Sequence, residues 1–280
     1  MSIRFAVLIV AAAALASVAG PGALLAAEDA PGSDEAGTGP ARTFGEAFRT
    51  YLDDGRYLFT FPRRAHPKGA WLTAGLLAGT ALLIGRDDEI RREVVESDEP
   101  ALDDAAEVLE PLGRSEVEAA ALGTFYLVGR ISGNRRLRST AATSFEAYLW
   151  TLMITSVTKG IFRRERPNDG ADSDDWFDDD TIFPSGHTSR SFAIAAVLAD
   201  RYGRKAAWTA YPLAALVGLA TLQEDSHWAS DILAGAGLGL AVGKGIVSRH
   251  PGPVRDRPPA AASMWRMAPL PGGAAVSIAF

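Results

Sequence analysis

Residues 184–202 read PSGHTSRSFAIAAVLADRY, which is a turn containing glycine followed by an apolar helix predicted over Ser189–Tyr202. Similar apolar segments recur along the chain without sustained period-2 alternation. This pattern predicts an all-α protein built as a bundle of about six core helices. The other five helices are predicted at Trp71–Ile84, Glu116–Ile131, Thr143–Phe162, Ala206–Leu222 and Ile232–Ser248.

Two helical segments before this bundle contain prolines. An amphipathic helix is predicted from Phe44, and the dipeptide Phe61-Pro62 is expected to break it. Pro100 is expected to divide the charged stretch Asp87–Glu110 into two short helices. The helical domain therefore covers residues 43–250, with its motif core between residues 71 and 248.

The two ends of the chain differ from the bundle. Residues 1–27 resemble a signal peptide, because Arg4 is followed by the apolar run Phe5–Leu15 and then by small residues. A membrane anchor is the alternative, although the run is shorter than the roughly 20 residues of a membrane span. Residues 28–42 predict a disordered linker. Residues 251–280 predict a tail with a short β-hairpin, formed by Met264–Met267 and Ala274–Phe280.

Composition excludes several functional classes. The net charge is −6, whereas a protein that binds nucleic acid presents a basic face. The chain contains no cysteine, so disulfides, thiolate metal sites and cysteine nucleophiles are excluded. The apolar helices are intermediate in length between core helices and membrane spans. With the apolar N-terminal run, we expect an exported protein on the periplasmic side of the cell envelope. Membrane association is favoured over a soluble protein, and the oligomeric state stays open.

Lys159 and Arg166 are a candidate pair of phosphate ligands. Pro167 ends the helix at or before Arg166, and a spacing of seven residues predicts that both cations lie on one helical face. Arginine offers a planar fork for phosphate oxygens, and lysine offers a compact charge. The alternative is a solvated basic helix end that also includes Arg163 and Arg164.

Pro184-Ser185-Gly186-His187 is a candidate anion site before the helix Ser189–Tyr202. Glycine permits close approach of the backbone, and the unpaired N–H groups at a helix start attract anions. The Ser185 hydroxyl adds a donor, and His187 is placed to give a proton to a leaving group. The alternative is an ordinary helix cap beside a surface histidine.

His227 and Asp231 are a candidate nucleophile and its partner. Their spacing of four lets the carboxylate accept from one imidazole nitrogen, which keeps the other nitrogen as a lone pair. Such a histidine is activated for nucleophilic attack. The alternative is a histidine at a helix start that Ser230 or Asp231 caps.

Together the motifs K-x6-RP, PSGH and H-x3-D, at residues 159–167, 184–187 and 227–231, resemble the type 2 phosphatidic acid phosphatase superfamily. That superfamily also contains bacterial acid phosphatases and vanadium haloperoxidases. The resemblance implies that His227 attacks phosphorus to form a phosphohistidine, that Asp231 orients it, and that His187 protonates the leaving alcohol and then activates water. It also implies that no metal or other cofactor is needed. The implied phosphate ligands are Lys159, Arg166, Ser185 and the Gly186 N–H.

One position departs from the superfamily pattern. Thr221 lies six residues before His227, where the superfamily has an arginine, so at most a hydroxyl donor replaces a cation in binding phosphate. Arg190, three residues after His187 on the predicted helix, is a candidate to compensate. The preferred interpretation at this stage is that Arg190 faces solvent.

The expected activity is phosphomonoester hydrolysis. The expected substrate is a lipid phosphate or an isoprenyl diphosphate, with a soluble phosphate ester as the alternative. Two other functions stay open: a weakened or inactive relative, because of Thr221, and a haloperoxidase that would bind vanadate as its cofactor at His227. The acidic stretch Asp172–Asp180 predicts a solvated loop. Glu146 is expected to pair with an arginine or lysine, and His66 and His250 are given no role.

Overall fold

The computed structural model describes residues 44–64, 67–95, 100–177, 181–250, 265–270 and 273–278. Within these ranges the helices are α1 (Phe44–Arg64), α2 (Pro67–Ile84), α3 (Asp87–Val95), α4 (Pro100–Leu109), α5 (Ser115–Ile131), α6 (Arg135–Phe162), α7 (Gly186–Tyr202), α8 (Arg204–Gln223) and α9 (Ala229–Arg249). Two 3₁₀ turns lie at Glu110–Gly113 and Pro167–Asp169. The predicted helical class is confirmed, and the signal peptide and linker predicted over residues 1–42 lie outside the described residues.

Helix α7 lies at the centre of the bundle, where it packs against α6, α8 and α9. Its residues Ala193, Ala196 and Val197 have no exposed surface. Small side chains on this helix allow its neighbours to approach from several sides. Helix α2 packs on the outer side of α9, so the six apolar helices predicted for the core all belong to the bundle.

Glycines on α9 bring its backbone close to α7. A Cβ atom on Gly235 would lie 2.7 Å from the carbonyl oxygen of Ser185, and one on Gly243 would lie 2.6 Å from that of Ala193. Gly239, between them, is equally close to α7. These residues are four apart and therefore share one helix face. Their close packing holds the starts of α7 and α9 side by side.

Several helix boundaries differ from the prediction. Helix α1 continues past Pro62 to Arg64, because a proline in the last turn removes only one hydrogen-bond donor from the helix. Helix α6 begins at Arg135, two turns before the predicted Thr143, because the Asn134 side chain caps it by accepting from the Leu137 N–H at 2.9 Å. The division at Pro100 is confirmed.

Beyond the bundle, the backbone of the tail has two antiparallel strands, β1 (Trp265–Leu270) and β2 (Gly273–Ile278). The hairpin stays a prediction from the sequence. Among the described residues, α9 is the one helix that is long and apolar enough to cross a membrane. Of the apolar 18-residue window in this helix, 56% is buried within the protein, as it would be in a core helix.

Candidate active site

The starts of α7 and α9 meet at one end of the bundle. The Ser185 N–H, at the cap of α7, donates to the carbonyl oxygen of Asp231, in the first turn of α9, at 3.0 Å. Both helices therefore direct their positive N-terminal ends toward the same region. The structure thus brings the PSGH and H-x3-D motifs together, although they are far apart in the sequence.

His227 lies two residues before the first residue of α9, and its side chain is only 7% exposed. Its Nδ1 lies 3.3 Å from Oδ2 of Asp231. Burial lowers the pKa of His227; Asp231 opposes this shift, and the positive charges of Lys159 and His187 add to it. The neutral ring is therefore favoured. With Nδ1 held by the carboxylate, Nε2 keeps its lone pair.

Asp231 is itself fixed on three sides. Its Oδ2 accepts from the Trp228 N–H at 3.0 Å, and its Oδ1 accepts from Nη1 of Arg164 at 2.7 Å. The side chains of Asp231 and Arg164 are both completely buried. The carboxylate that orients His227 therefore cannot turn away without breaking a buried ion pair.

Arg164 links Asp231 to the rest of the bundle. Its Nη2 donates to Oδ2 of Asp87 at 2.8 Å and to the Ser173 carbonyl at 2.6 Å, while Nη1 also donates to Ser230 at 2.7 Å. The guanidinium lies over the ring of Trp176 at 4.5 Å. The interpretation of this basic helix end as solvated is therefore wrong for Arg164, because its charge is matched by two buried carboxylates.

The start of α7 is a candidate anion site centred on Gly186. A Cβ atom at Gly186 would lie 3.0 Å from Nη1 of Arg190 and 3.9 Å from Nζ of Lys159. Two cations therefore lie close to a helix N-terminus at the one residue that lacks a side chain. The Ser185 hydroxyl accepts from the backbone N–H and the hydroxyl of Thr188, at 3.4 and 3.0 Å. Its own hydrogen is the donor that can serve a ligand.

Arg190 is buried rather than solvent-facing, so the preferred interpretation of this residue is wrong. Its Nε donates to Oε2 of Glu118 at 2.8 Å, and its Nη2 donates to the Gly113 carbonyl at 2.7 Å. These contacts direct the guanidinium toward Gly186. Burial raises the pKa of Glu118 to about 8, and the opposing effect of Arg190 is smaller.

Lys159 and Arg166 do not share one helical face. Helix α6 ends at Phe162, and Arg163 has a left-handed conformation with φ 44°. The chain then leaves the helix, and Arg166 is an exposed, extended residue before the turn at Pro167. The helix does end before Arg166, as predicted, but it ends at the left-handed Arg163 and not at the residue before Pro167.

Thr221 does not direct a donor into the site. It is completely buried, and its hydroxyl donates to the Gly218 carbonyl of the same helix at 2.7 Å. The backbone carbonyl of Thr221 accepts from Ser226, which shapes the turn before His227. The hydroxyl donor suggested in place of arginine is therefore used within α8.

His187 lies in the first turn of α7. This helix begins at Gly186, three residues before the predicted start at Ser189. Its side chain is 25% exposed, and its Nε2 lies 3.1 Å from Oε1 of Glu110 in the first 3₁₀ turn. Glu110 carries no signal in the sequence, because it lies at the end of a charged stretch far from all three motifs.

A second histidine cluster lies at the other end of α9. Ligand atoms of Asp54, Glu146 and His250 lie within 4.8 Å of one another, a spacing that metal ligands also have. Asp54 accepts from Nε of Arg249 and contacts Nε2 of His250, both at 2.8 Å. Because the charge of Arg249 already neutralises Asp54, we interpret the cluster as structural ion pairs. The partner of Glu146 is His250, at 3.3 Å, rather than the expected arginine or lysine.

The fold and this site define a class: an all-α protein with a histidine nucleophile candidate beside an anion site at paired helix starts. Residues 141–253 match the model of the PAP2 superfamily. This matched segment contains all three motifs. The C-terminal tail lies almost entirely beyond the matched residues.

Two known proteins are similar to this chain. The lipid A 1-phosphatase of Porphyromonas gingivalis is 38% identical over 65 residues, which are 22% of this chain. The match spans only 15% of the length of that curated relative. The crystal structure of the first transmembrane PAP2 type phosphatidylglycerolphosphate phosphatase from Bacillus subtilis is 17% identical, with a TM-score of 0.47. That similarity covers 62% of this chain and 94% of the other.

Proposed function

We propose that this protein hydrolyses phosphate monoesters through a phosphohistidine on His227. The observation that carries the proposal is the buried His227 with Nδ1 on Asp231, beside a helix start flanked by Lys159 and Arg190. A neutral imidazole held in one tautomer is a nucleophile, and the helix start with its cations is suited to phosphoryl oxygens.

The reaction has two steps. Nε2 of His227 attacks phosphorus, the bond to the leaving oxygen breaks, and His187 gives that oxygen a proton. Water then attacks the phosphohistidine, and His187 takes a proton from it as the phosphorus–nitrogen bond breaks. Lys159, Arg166, the Ser185 hydroxyl and the Gly186 N–H bind the phosphoryl oxygens. We propose that these groups stabilise the charge without a metal ion.

Arg190 supplies the cation that Thr221 does not. Its Nη1 lies close to Gly186, and Glu118 and the Gly113 carbonyl fix the other side of the guanidinium. Because Glu118 and the Gly113 carbonyl accept from Nε and Nη2, Nη1 is the part of the guanidinium that remains to bind a phosphoryl oxygen. The weakened-relative alternative rests on Thr221 alone and loses its basis if Arg190 serves this role.

We propose a lipid phosphate as the substrate. A cavity of about 400 Å³ lies between α5, α7 and α8, and its walls are mainly apolar. Glu118, the partner of Arg190, belongs to its lining, so the cavity begins beside the proposed phosphate site. The name of the Porphyromonas gingivalis relative also indicates a phosphorylated lipid. Apolar residues that line the cavity include Leu112, Val117, Ile194, Leu213 and Val217.

We further propose that the enzyme works at a membrane surface on the periplasmic side. The apolar run Phe5–Leu15 supports export or anchoring. Helix α2 exposes large apolar side chains, with Trp71 77% and Leu82 74% exposed. Such side chains on one outer helix are suited to contact with lipid.

The test is to trap the intermediate. Purified protein is mixed with a lipid phosphate carrying labelled phosphorus and quenched in alkali, because a phosphorus–nitrogen bond is labile in acid. We expect label on the peptide that contains His227, no label in His227→Ala, and the same rate with and without a chelator. A soluble aryl phosphate is run in parallel to compare substrate classes.

Two results would contradict the proposal. One is turnover without any labelled histidine, which would exclude the covalent route. The other is a protein that hydrolyses neither ester although its thermal unfolding is cooperative, which would favour an inactive relative. Loss of activity with the chelator would overturn only the metal-independent part.

A further inference from the structure

His187 has a carboxylate partner that comes from outside the three motifs. Oε1 of Glu110 lies 3.1 Å from Nε2 of His187, and the Glu110 side chain is only 9% exposed. Glu110 opens the 3₁₀ turn between α4 and α5. This turn lies outside residues 141–253, the segment that matches the PAP2 superfamily.

The Glu110 carboxylate is held in its ionised form. Its other main contact is Arg114, whose Nη2 lies 2.8 Å from Oε2. Burial alone would raise the pKa of Glu110, but the contacts with His187 and Arg114 outweigh it, and the pKa is lowered. A fixed negative charge therefore lies beside the imidazole.

The same 3₁₀ turn packs against the ring of His187. A Cβ atom at Gly113 would lie 2.9 Å from Cδ2 and 3.0 Å from Cβ of His187. Glycine at this position lets the turn approach the ring closely, and the carbonyl of Gly113 also binds Arg190. One short turn thus contacts both polar residues that α7 contributes to the site.

The two nitrogens of the His187 ring lie in different surroundings. Nε2 is buried and is close to Glu110, but the direction of the contact is poor for a hydrogen bond, so its attraction is that of an ion pair. A buried Nε2 cannot reach a substrate. The side chain as a whole is a quarter exposed, so Nδ1 is the candidate nitrogen for proton transfer to a substrate.

We propose that Glu110 is a positioning residue that holds protonated His187 with Nδ1 toward the leaving oxygen. This inference rests on the proposed phosphatase activity. As the bond between phosphorus and the leaving oxygen breaks, its electron pair goes to that oxygen, which takes the proton from Nδ1 of His187. The imidazole becomes neutral, and Glu110 keeps its charge throughout. Glu110 therefore acts through His187 and does not contact the substrate.

The test compares leaving groups in Glu110→Gln, which keeps the shape of the side chain and removes its charge. An alkyl phosphate needs a proton on its leaving oxygen, whereas a nitrophenyl phosphate leaves as a stable anion. We expect kcat/KM for a short-chain alkyl phosphate to fall about tenfold or more, since general acid catalysis is worth about 10²–10⁴-fold. For the nitrophenyl ester we expect a fall of at most about threefold.

Glu116→Gln is the matched control. Glu116 lies on the same segment, is exposed, and contacts Ser115 rather than the site, so both esters should be hydrolysed at the wild-type rate. Equal losses for the two esters in Glu110→Gln would show that Glu110 has a purely structural role. Unchanged rates for both esters would show that Glu110 has no role in the reaction. Either result overturns the inference. A wild-type protein that hydrolyses neither ester would instead overturn the proposed function, and the inference with it.

Discussion

Helix α9 has a histidine at each end. Both histidines contact a buried aspartate, but their surroundings differ. His227 precedes the first residue of the helix and His250 follows the last, so roughly 30 Å separates them for a helix of 21 residues. Each contacts a completely buried aspartate: Asp231 at 3.3 Å and Asp54 at 2.8 Å. A histidine beside a buried carboxylate therefore does not by itself identify an active site.

The pKa values of the two histidines shift in opposite directions. Burial lowers the pKa of His227, and the nearby positive charges reinforce this. Hydrogen bonds to Glu146 and Asp54 raise the pKa of His250, against the effect of burial. The helix dipole acts in the same sense, because it disfavours a cation at the N-terminus and favours one at the C-terminus. One end of α9 is thus suited to a nucleophile and the other to an ion pair.

The most direct way to break this comparison is to replace each histidine in turn. We expect His227→Ala to lower kcat by roughly 10⁴–10⁶-fold, as loss of a covalent nucleophile does in other enzymes. His250→Gln should keep kcat within about twofold and should lower stability instead. Steady-state kinetics and thermal unfolding of both variants test this. Comparable losses of activity in both would mean that the two ends do not differ in function.

A second test concerns Arg164, which fixes Asp231, the aspartate at the His227 end of α9. Arg164→Gln leaves Asp87 and Asp231 as buried carboxylates without their cation, and we expect a loss of about 3–5 kcal/mol in the free energy of unfolding. Arg163→Gln is the control, because Arg163 is exposed and should change stability by about 0.5 kcal/mol or less. Denaturant unfolding measures both. Similar values for the two variants would contradict a structural role for the buried pairs.

A third test asks whether activity depends on Arg190 or is limited by Thr221. Arg190→Ala should reduce kcat by about 10²–10³-fold, the cost of removing a donor that stabilises the transition state. Thr221→Arg should not raise activity, because Thr221 is completely buried and a larger side chain there costs about 1–3 kcal/mol or more through overpacking. Higher activity in Thr221→Arg, together with an unchanged rate in Arg190→Ala, would support the weakened-relative interpretation.

The helical architecture was predictable because apolar periodicity reports directly on which face of a helix is buried. The starts of α6 and α7 were missed for a local reason. Residues 135–138 are mostly basic, so the first turns of α6 carry no apolar stripe, although Asn134 caps the helix. Gly186 and His187 read as a turn before a helix, whereas both belong to its first turn.

The three motifs identified the residues at the starts of α7 and α9, but not the residues that hold them. Arg164, Glu110 and Glu118 are charged residues in charged surroundings, and their burial follows only from tertiary packing. For Arg190 the sequence suggested solvent, because one arginine on an apolar helix is usually exposed. A cue was available in Glu118, which lies on the apolar helix α5 and needs a partner if buried.

The remaining comparison concerns pH. The reaction rate that depends on His227 should fall as pH drops, whereas the stability that depends on His250 should fall as pH rises. His227 must be neutral to attack, so the rate should fall as pH drops through its pKa. Because that pKa is lowered, the acid limb of the profile of kcat/KM should lie below 6.5, the usual value for histidine. An acid limb at or above 6.5 would contradict the assignment of His227 as a buried, neutral nucleophile.

At the other end, pH should act on stability. The pKa of His250 is raised in the folded protein, so the stability that it adds is complete below the unfolded value of 6.5 and is lost as pH rises through the folded value. Its partner Asp54 has a lowered pKa in the folded protein, so the stability that Asp54 adds is complete above its unfolded value of 3.8 and is lost as pH falls through the lower folded value. The difference in unfolding free energy between the wild type and His250→Gln should therefore be largest between pH 3.8 and 6.5. We expect about 1.5–3 kcal/mol there, as for hydrogen bonds to charged groups, and a smaller difference at alkaline pH. Denaturant unfolding across this range measures it, and a difference that grows with pH would mean that His250 is not held as a cation.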